Sequence, residues 1–370
     1  MNSATIGSRR SAVTQEARRN DSTQGPRSNA VSTRAAVGAW LACVVVLALA
    51  ACGSSTVRAS EPSPVPAVAA TVPPSLTLYS SVTQGTIDAV VGGYERANPG
   101  AKVTVFRAPT GPLNARIAAD QRSGGLLADA IWGTDPLSMQ SYTDQHLLAP
   151  WPLPELTSVP EQYRTADFWG TQLLYLVIVA HKDLKPQPTS WADLTSPAYR
   201  GMVAVPDPAF AGSAFAALGY FSRAPGMGMD FYKALRANGA KQVASIPDVV
   251  TQVSQGAYQL GITVDSGVRT AIKKGSPIVM VWPKPGAIVL YSPIALTAMS
   301  AHSEAVKAFM TYVLSGEGQK LIADTGWQPI ISGVTGPPQP VGATSVAPDW
   351  TALFGHQQAL LARYRSTFVQ

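Results

Sequence analysis

The chain has 370 residues, 46% of them hydrophobic and 14% charged, a balance ample for a packed core and too apolar for an intrinsically disordered protein. Its net charge is +6, but six arginines (Arg9, Arg10, Arg18, Arg19, Arg27, Arg34) and only two acids (Glu16, Asp21) lie before residue 52. The remainder carries little net charge and no basic run, so composition gives no ground for a nucleic-acid partner.

Residues 1–34 are polar and basic, without hydrophobic periodicity, and read as a leader. Residues 35–51, AAVGAWLACVVVLALAA, are almost unbroken apolar and short for a membrane span, the pattern of a signal h-region. The run ends Leu49-Ala50-Ala51-Cys52-Gly53-Ser54-Ser55, which resembles a bacterial lipobox, and that resemblance implies a lipid on Cys52. Residues 52–75 then combine this cysteine with a tether rich in Pro, Ala and Ser. Cys43 would leave with the signal and Cys52 would be acylated, so no disulfide or cysteine metal site is expected. His146, His181, His302 and His356 are scattered, without metal or catalytic spacing.

From Leu76 short apolar runs alternate with amphipathic stretches. Strands are predicted at 76–79, 102–107 and 128–132, with helices at 84–97, 112–123 and near 136–146. This βαβαβ pattern predicts a mostly parallel sheet with helices on both faces. A second block holds strands at 172–180, 202–205 and 259–264, helices at 213–222, 229–239 and 247–256, and a turn-rich segment at 190–201. Strands at 278–282 and 287–290 follow, then helices at 303–325 and 349–366.

Three junctions share one design. The first strand runs into Ser80-Ser81, the second into Thr110-Gly111, and Pro208 to Ser213 precedes the helix of 213–222. In open α/β sheets ligands bind beyond the carboxyl ends of strands, where helix N-termini offer unpaired N–H groups to anions. Ordinary N-capping by Ser and Thr, worth about 0.5–2 kcal/mol each, explains the same residues at any single junction.

LTLYSS (76–81), APTGPLNARIAAD (108–120) and ADAIWGTDPLSMQ (128–140) resemble the extracellular solute-binding proteins of ABC importers, closest to the ferric-iron and phosphonate or sugar-phosphate type. SWADLTSPAYRGMVAVPDPAFAGSAF (190–215), VVTQVSQGAYQLGIT (249–263), YSPIAL (291–296) and EAVKAFMTYVLSGEGQKLIADTGWQPI (304–330) continue the match. The resemblance implies a two-lobed, periplasmic-binding-protein-like α/β fold, each lobe a mostly parallel sheet flanked by helices, with a ligand cleft between lobes. It maps lobe one to 76–175, lobe two to 178–282, and a return to lobe one, with the C-terminal helix, to 284–370. It further implies a monomeric receptor with no cofactor and no catalysis. Such a receptor is exported, held on the outer face of the membrane by its lipid, and hands a small solute to ABC permease and ATPase subunits. The sequence carries no G-x-S-x-G elbow, H-E-x-x-H, Cys–His pairing or phosphate-binding Lys loop.

Ferric members resemble one another in holding iron with tyrosines after the strand that here reads GITV. Asp265-Ser266-Gly267 stands there instead, and none of the twelve tyrosines adjoins another. Ser80, Ser81, Thr110, Gly111 and Ser213 could supply neutral donors to an oxyanion, with Thr134 after Trp132-Gly133 adding another. Asp265 would repel an anion unless the solute also carries an ammonium or hydroxyl groups, as an aminoalkylphosphonate or sugar phosphate does. The expected ligand set is therefore Ser80, Ser81, Thr110, Gly111, Gly133, Thr134, Asp207, Ser213, Asp265 and Tyr291, with no metal. Asp265 as a turn cap, Asp207 as a loop brace, and Tyr291 and Trp132 as hinge or core aromatics stay open as plainer roles. Ferric iron is the alternative ligand, and a secreted α/β hydrolase the alternative class.

Overall fold

The structure, a computed structural model, describes residues 75–151 and 158–369. The expected leader, h-region, Cys52 and nearly all of the tether lie outside the described residues. No helix among the described residues is long and apolar enough to cross a membrane.

The first block contains β1 (Leu76–Ser80), α1 (Gln84–Ala97), β2 (Val103–Arg107), α2 (Thr110–Arg122), β3 (Ala130–Trp132) and α3 (Pro136–Asp144). A long strand, β4 (Trp169–His181), leads to β5 (Val203–Pro206), α4 (Gly212–Arg223), α5 (Gly228–Ala237), β6 (Lys241–Val243), α6 (Ile246–Ser254), β7 (Leu260–Val264) and α7 (Asp265–Lys273). The chain returns through β8 (Ile278–Val281) and β9 (Ala287–Leu296) to α8 (Ser303–Val313) and α9 (Gly316–Asp324). Two short strands, β10 (Gln328–Pro329) and β11 (Ser345–Val346), precede α10 (Trp350–Leu353) and α11 (Gln357–Tyr364).

Local chemistry explains these boundaries. α1 buries Ile87, Val90, Val91 and Tyr94, one apolar stripe at helical spacing. α3 opens on Asp135, whose carboxylate accepts from Ser138 N, with Pro136 in the first turn. α6 opens on a capping box, in which Ser245 and Asp248 each accept the other's backbone N–H. β4 is buried along nearly its whole length on both faces, matching its unbroken apolar sequence.

Four expectations change. The helix predicted over 303–325 is two helices, because Ser315 accepts from Gly318 N and caps a new start. The terminal helix breaks at Gly355, whose φ of 80° is the left-handed region glycine tolerates. β9 continues to Leu296 because YSPIAL is buried throughout. The terminal segment, expected on lobe one alone, is also fastened to the opposite half. Tyr364 meets Tyr232 of α5 edge-on at 5.1 Å, and its hydroxyl donates to Gln242 Oε1 at 2.8 Å. These are aromatic partners that helical periodicity cannot choose.

The strands follow one hydrogen-bonded path, β2-β1-β3-β9-β4-β7-β5-β6, a mixed sheet that holds a parallel set in each lobe. β1, β2 and β3 are mutually parallel, as are β5, β6 and β7. Between these sets lie three antiparallel pairings: β3 with β9, β9 with β4, and β4 with β7. Three reversals leave the two parallel sets running in opposite directions. Register places the end of β3 beside the start of β4, through Trp132, Ile294 and Trp169. The end of β7, Val264, pairs with Leu176 farther along the same strand. The carboxyl ends of both sets therefore approach the middle of β4 from opposite sides, about 20 Å apart along the strand. The expected crossing between lobes, at 175–178, falls inside β4.

Gln319 ties the returning helix to this central strand. Its amide is fully buried and donates to Thr171 O at 2.8 Å and Val313 O at 2.9 Å, while its carbonyl accepts from Ile330 N at 2.8 Å. Gln319→Leu orphans three buried backbone groups and is expected to lower stability by about 3 kcal/mol. Urea unfolding with an unshifted midpoint would reject this role.

Candidate functional site

Where the strand ends face each other lies a cleft of about 830 Å³. Its wall on the first lobe comes from the turns after β1, β2 and β3, which present Ser81, Thr110 and Thr134. Phe210 to Ser213 before α4, Ser245 to Asp248 around the start of α6, and Ser266-Gly267 in α7 form the opposing wall. Leu174 of β4 contributes from the centre, and Thr325 and Trp327 from the turn after α9. The N-terminal turns of α1, α2, α4, α6 and α7 thus share one space, each bringing the positive end of its dipole.

The hydroxyls cluster. Ser81 Oγ lies 3.2 Å from Thr134 Oγ1, which lies 3.4 Å from Thr110 Oγ1. The α4 end closes on them: a Cβ added at Gly212 would overlap the Thr110 and Thr134 hydroxyls and the Asp135 carboxylate. Glycine at 212 is what lets the lobes meet here. Beside it, Gly111 N donates to Phe210 O at 3.0 Å across the same contact. Two cations reach the rim, Lys274 and Arg107, whose Nε donates to Val82 O at 3.0 Å. The cleft's carboxylate, Asp248, is occupied in the α6 cap, accepting from Ser245 N at 3.0 Å and Ser245 Oγ at 2.7 Å. A surface of neutral donors, helix N-termini and flanking cations can hold an oxyanion without placing a formal countercharge at its centre.

Four of the ten expected residues line the cleft: Ser81, Thr110, Thr134 and Ser213. The other six do not. Ser80 is fully buried, its hydroxyl donating to Trp132 O at 2.8 Å and accepting from Val82 N at 3.1 Å, so it shapes the turn. The N–H of Gly111 is spent on Phe210. Gly133 is a strand-pairing position, donating to Pro293 O at 2.8 Å and accepting from the Ser292 hydroxyl. Asp207 braces its own loop, accepting from Ala209 N at 2.8 Å. Tyr291 is buried against Tyr163 and Trp350, with ring centroids 5.4 and 5.9 Å away.

Asp265 is the largest departure. Val264 is followed by helix rather than a turn, so Asp265 begins α7 and its side chain turns inward, 1% exposed. There it pairs with Arg269 one helical turn on, and accepts from Tyr175 N at 3.4 Å. Burial pushes its carboxyl up, while the guanidinium and the N–H groups of Tyr175 and Ser266 pull the other way. Arg269 also donates to Gly326 O at 3.3 Å, joining α7 to the turn after α9. Ser266 and Gly267 face the cleft in place of the acid. Among residues sequence reading did not select, Ser245 and Asp248 were recoverable, since S-x-x-D before an apolar run is a capping-box signature. Thr270, Lys274, Thr325 and Trp327 enter through tertiary contacts alone.

The fold and this cleft define a two-lobed binding protein. The sequence pattern of the bacterial extracellular solute-binding proteins matches residues 76–328, and the chain belongs to that family, whose members serve ABC importers. An uncharacterised protein of Haemophilus influenzae is 28% identical over 145 residues, and that match spans 39% of this chain and 42% of the relative, less than half of either. Among solved structures, the periplasmic binding protein AfuA of Actinobacillus pleuropneumoniae, with exogenous fructose 6-phosphate bound, superposes with a TM-score of 0.73. It is 18% identical and matches over 80% of this chain and 99% of its own. Iron-bound HitA of Pseudomonas aeruginosa superposes with a TM-score of 0.70 at 20% identity, over 80% of this chain and 99% of its own. At such identities these likenesses speak for the fold and not for the ligand.

Asp265→Ala strands the Arg269 cation in the interior and is expected to destabilise the protein by about 3–5 kcal/mol. The double variant Asp265→Ala/Arg269→Met should recover much of that loss. A single variant as stable as wild type in guanidinium unfolding would contradict the buried pair.

Proposed function

We propose that the protein captures a small phosphate ester or phosphonate, of the sugar-phosphate kind in preference to the aminoalkyl kind, and delivers it to an ABC permease. The observation that carries this is the convergence of five helix N-termini and three hydroxyls on one cleft. Such an arrangement favours a compact anion and supplies no concentrated negative charge. Beyond that seat, Thr251, Ser254 and Gln255 at the end of α6 and Thr270 on α7 extend along the cleft, a lining suited to hydroxyl groups. With Asp265 committed to Arg269, an ammonium-bearing solute loses the carboxylate expected to meet it.

Ferric iron calls for several hard anionic oxygens. Among the described residues the lining includes no tyrosine or histidine, and its carboxylate is engaged in a cap, which supports the phosphorus reading over the metal one. Acylation at Cys52 would place the receptor beside its permease on the outer face of the membrane.

Calorimetry with fructose 6-phosphate, aminoethylphosphonate, inorganic phosphate and ferric citrate tests the assignment. The sugar phosphate is expected to bind, and Thr110→Val, which removes one donor to a charged group, to weaken it about 10- to 100-fold. No heat from any phosphorus compound, with a visible phenolate-to-iron band on adding ferric citrate, would overturn it.

A further inference from the structure

Behind the hydroxyl cluster stands a carboxylate that neither the fold nor the proposed solute seat has used. Asp135 caps α3 with one oxygen, Oδ1, which accepts from Ser138 N at 2.7 Å. The other, Oδ2, has no hydrogen-bond partner, and the residue is 1% exposed. Oδ2 faces the first turn of α4, close against Gly212 and level with the Thr110 and Thr134 hydroxyls. The groups that feel its charge are the phenols of Tyr142 on α3 and Tyr291 on β9. Among the described residues no Lys, Arg or His offsets it. From α4 it meets backbone and the helix N-terminus rather than a charged side chain.

A buried oxygen without a donor is costly, and costlier when a second negative charge arrives next to it. Protonation removes the charge, and with it both the cost of burying that charge and its repulsion of an anion bound beside it. We propose that Asp135 is a proton-binding site of the cleft, whose hold on a proton from solvent tightens when an anionic solute binds beside it. No covalent bond other than the new O–H changes. Burial already pushes this carboxyl up to about 6, against the opposing pull of the Ser138 N–H and hydroxyl and the Leu137 N–H. Its raised value means the closed state is favoured at low pH and loses that advantage as pH rises from the ordinary carboxylate range through about 6. The inference rests on the oxyanion reading for its solute-driven part; the proton site itself does not require any solute.

Two measurements test it. Carbon-13 carboxyl titration of the full chain without solute should show one aspartate ionising near pH 6, absent in Asp135→Asn. Asn is as good an N-cap as Asp, so this variant keeps the start of α3. Gly212→Ala leaves Asp135 in place but drives the α4 turn away from Oδ2, and should return its ionisation toward the ordinary carboxylate range. An ordinary midpoint in wild type, or a midpoint unmoved by Gly212→Ala, overturns the proposal. Then calorimetry with fructose 6-phosphate at pH 6, in buffers of different ionisation heat, should register uptake of up to about half a proton in wild type beyond any in Asp135→Asn. Binding without proton exchange overturns the coupling. If neither fructose 6-phosphate nor inorganic phosphate binds, the assigned solute class falls, while the carboxyl titration still decides whether the proton site exists.

Discussion

Three antiparallel pairings in the centre of the sheet govern this molecule. Strands β9 and β4 lie between two parallel sets, and an odd number of reversals turns those sets to face each other. In a parallel α/β unit every strand is followed by a helix at its carboxyl end, and that end is where ligands bind. Opposing two such units brings five helix N-termini into one cleft. A sheet with an even number of reversals would have pointed the two sets the same way, and no shared cleft would form between them. The same geometry makes β4 and β9 the strands shared by the two halves of the sheet.

The cleft keeps formal charge away from its centre. Asp248 spends one oxygen, Oδ2, on a helix cap, and Asp265 is turned inward to neutralise Arg269, which in turn reaches the carbonyl of Gly326. What remains on the walls is hydroxyl, backbone N–H and helix dipole, the donors that bind an anion without a fixed countercharge. Asp135 is the exception. Among the described residues no cation balances it, and it lies where the two lobes touch, so its protonation state and their contact are energetically linked.

Much of the fold was legible in the chain. The alternation of apolar runs and amphipathic stretches located most strands and helices, and α1 coincides with its predicted span at both ends. What escaped was polar or short. β6 is mostly exposed with the sequence Lys-Gln-Val, and β10 and β11 are two residues each, below the length at which a period is detectable. The breaks at Ser315 and Gly355 were written as a cap and a positive-φ glycine within otherwise helical patterns. Of the expected ligand set, the hydroxyls after the strands were the legible part, because strand-end position and donor chemistry can both be read locally. Ser80 and Ser81 show the limit: neighbours of the same chemistry, one bonded to Trp132 and the other open to the cleft.

Composition, periodicity and junction chemistry by themselves determined an α/β protein with neutral donors at its strand ends, and the family resemblance of its motifs added the two lobes and the receptor role. Those properties depend on residues near one another in sequence. Only the tertiary structure decided which way Asp265 points, since its direction depends on Arg269 and Tyr175 meeting behind α7. Likewise, only the tertiary structure brought Gly212 against Asp135, Thr110 and Thr134, four positions separated by as much as about a hundred residues. A side chain's partner across a lobe contact is set by how two sheets are directed and registered, and no local pattern carries that information.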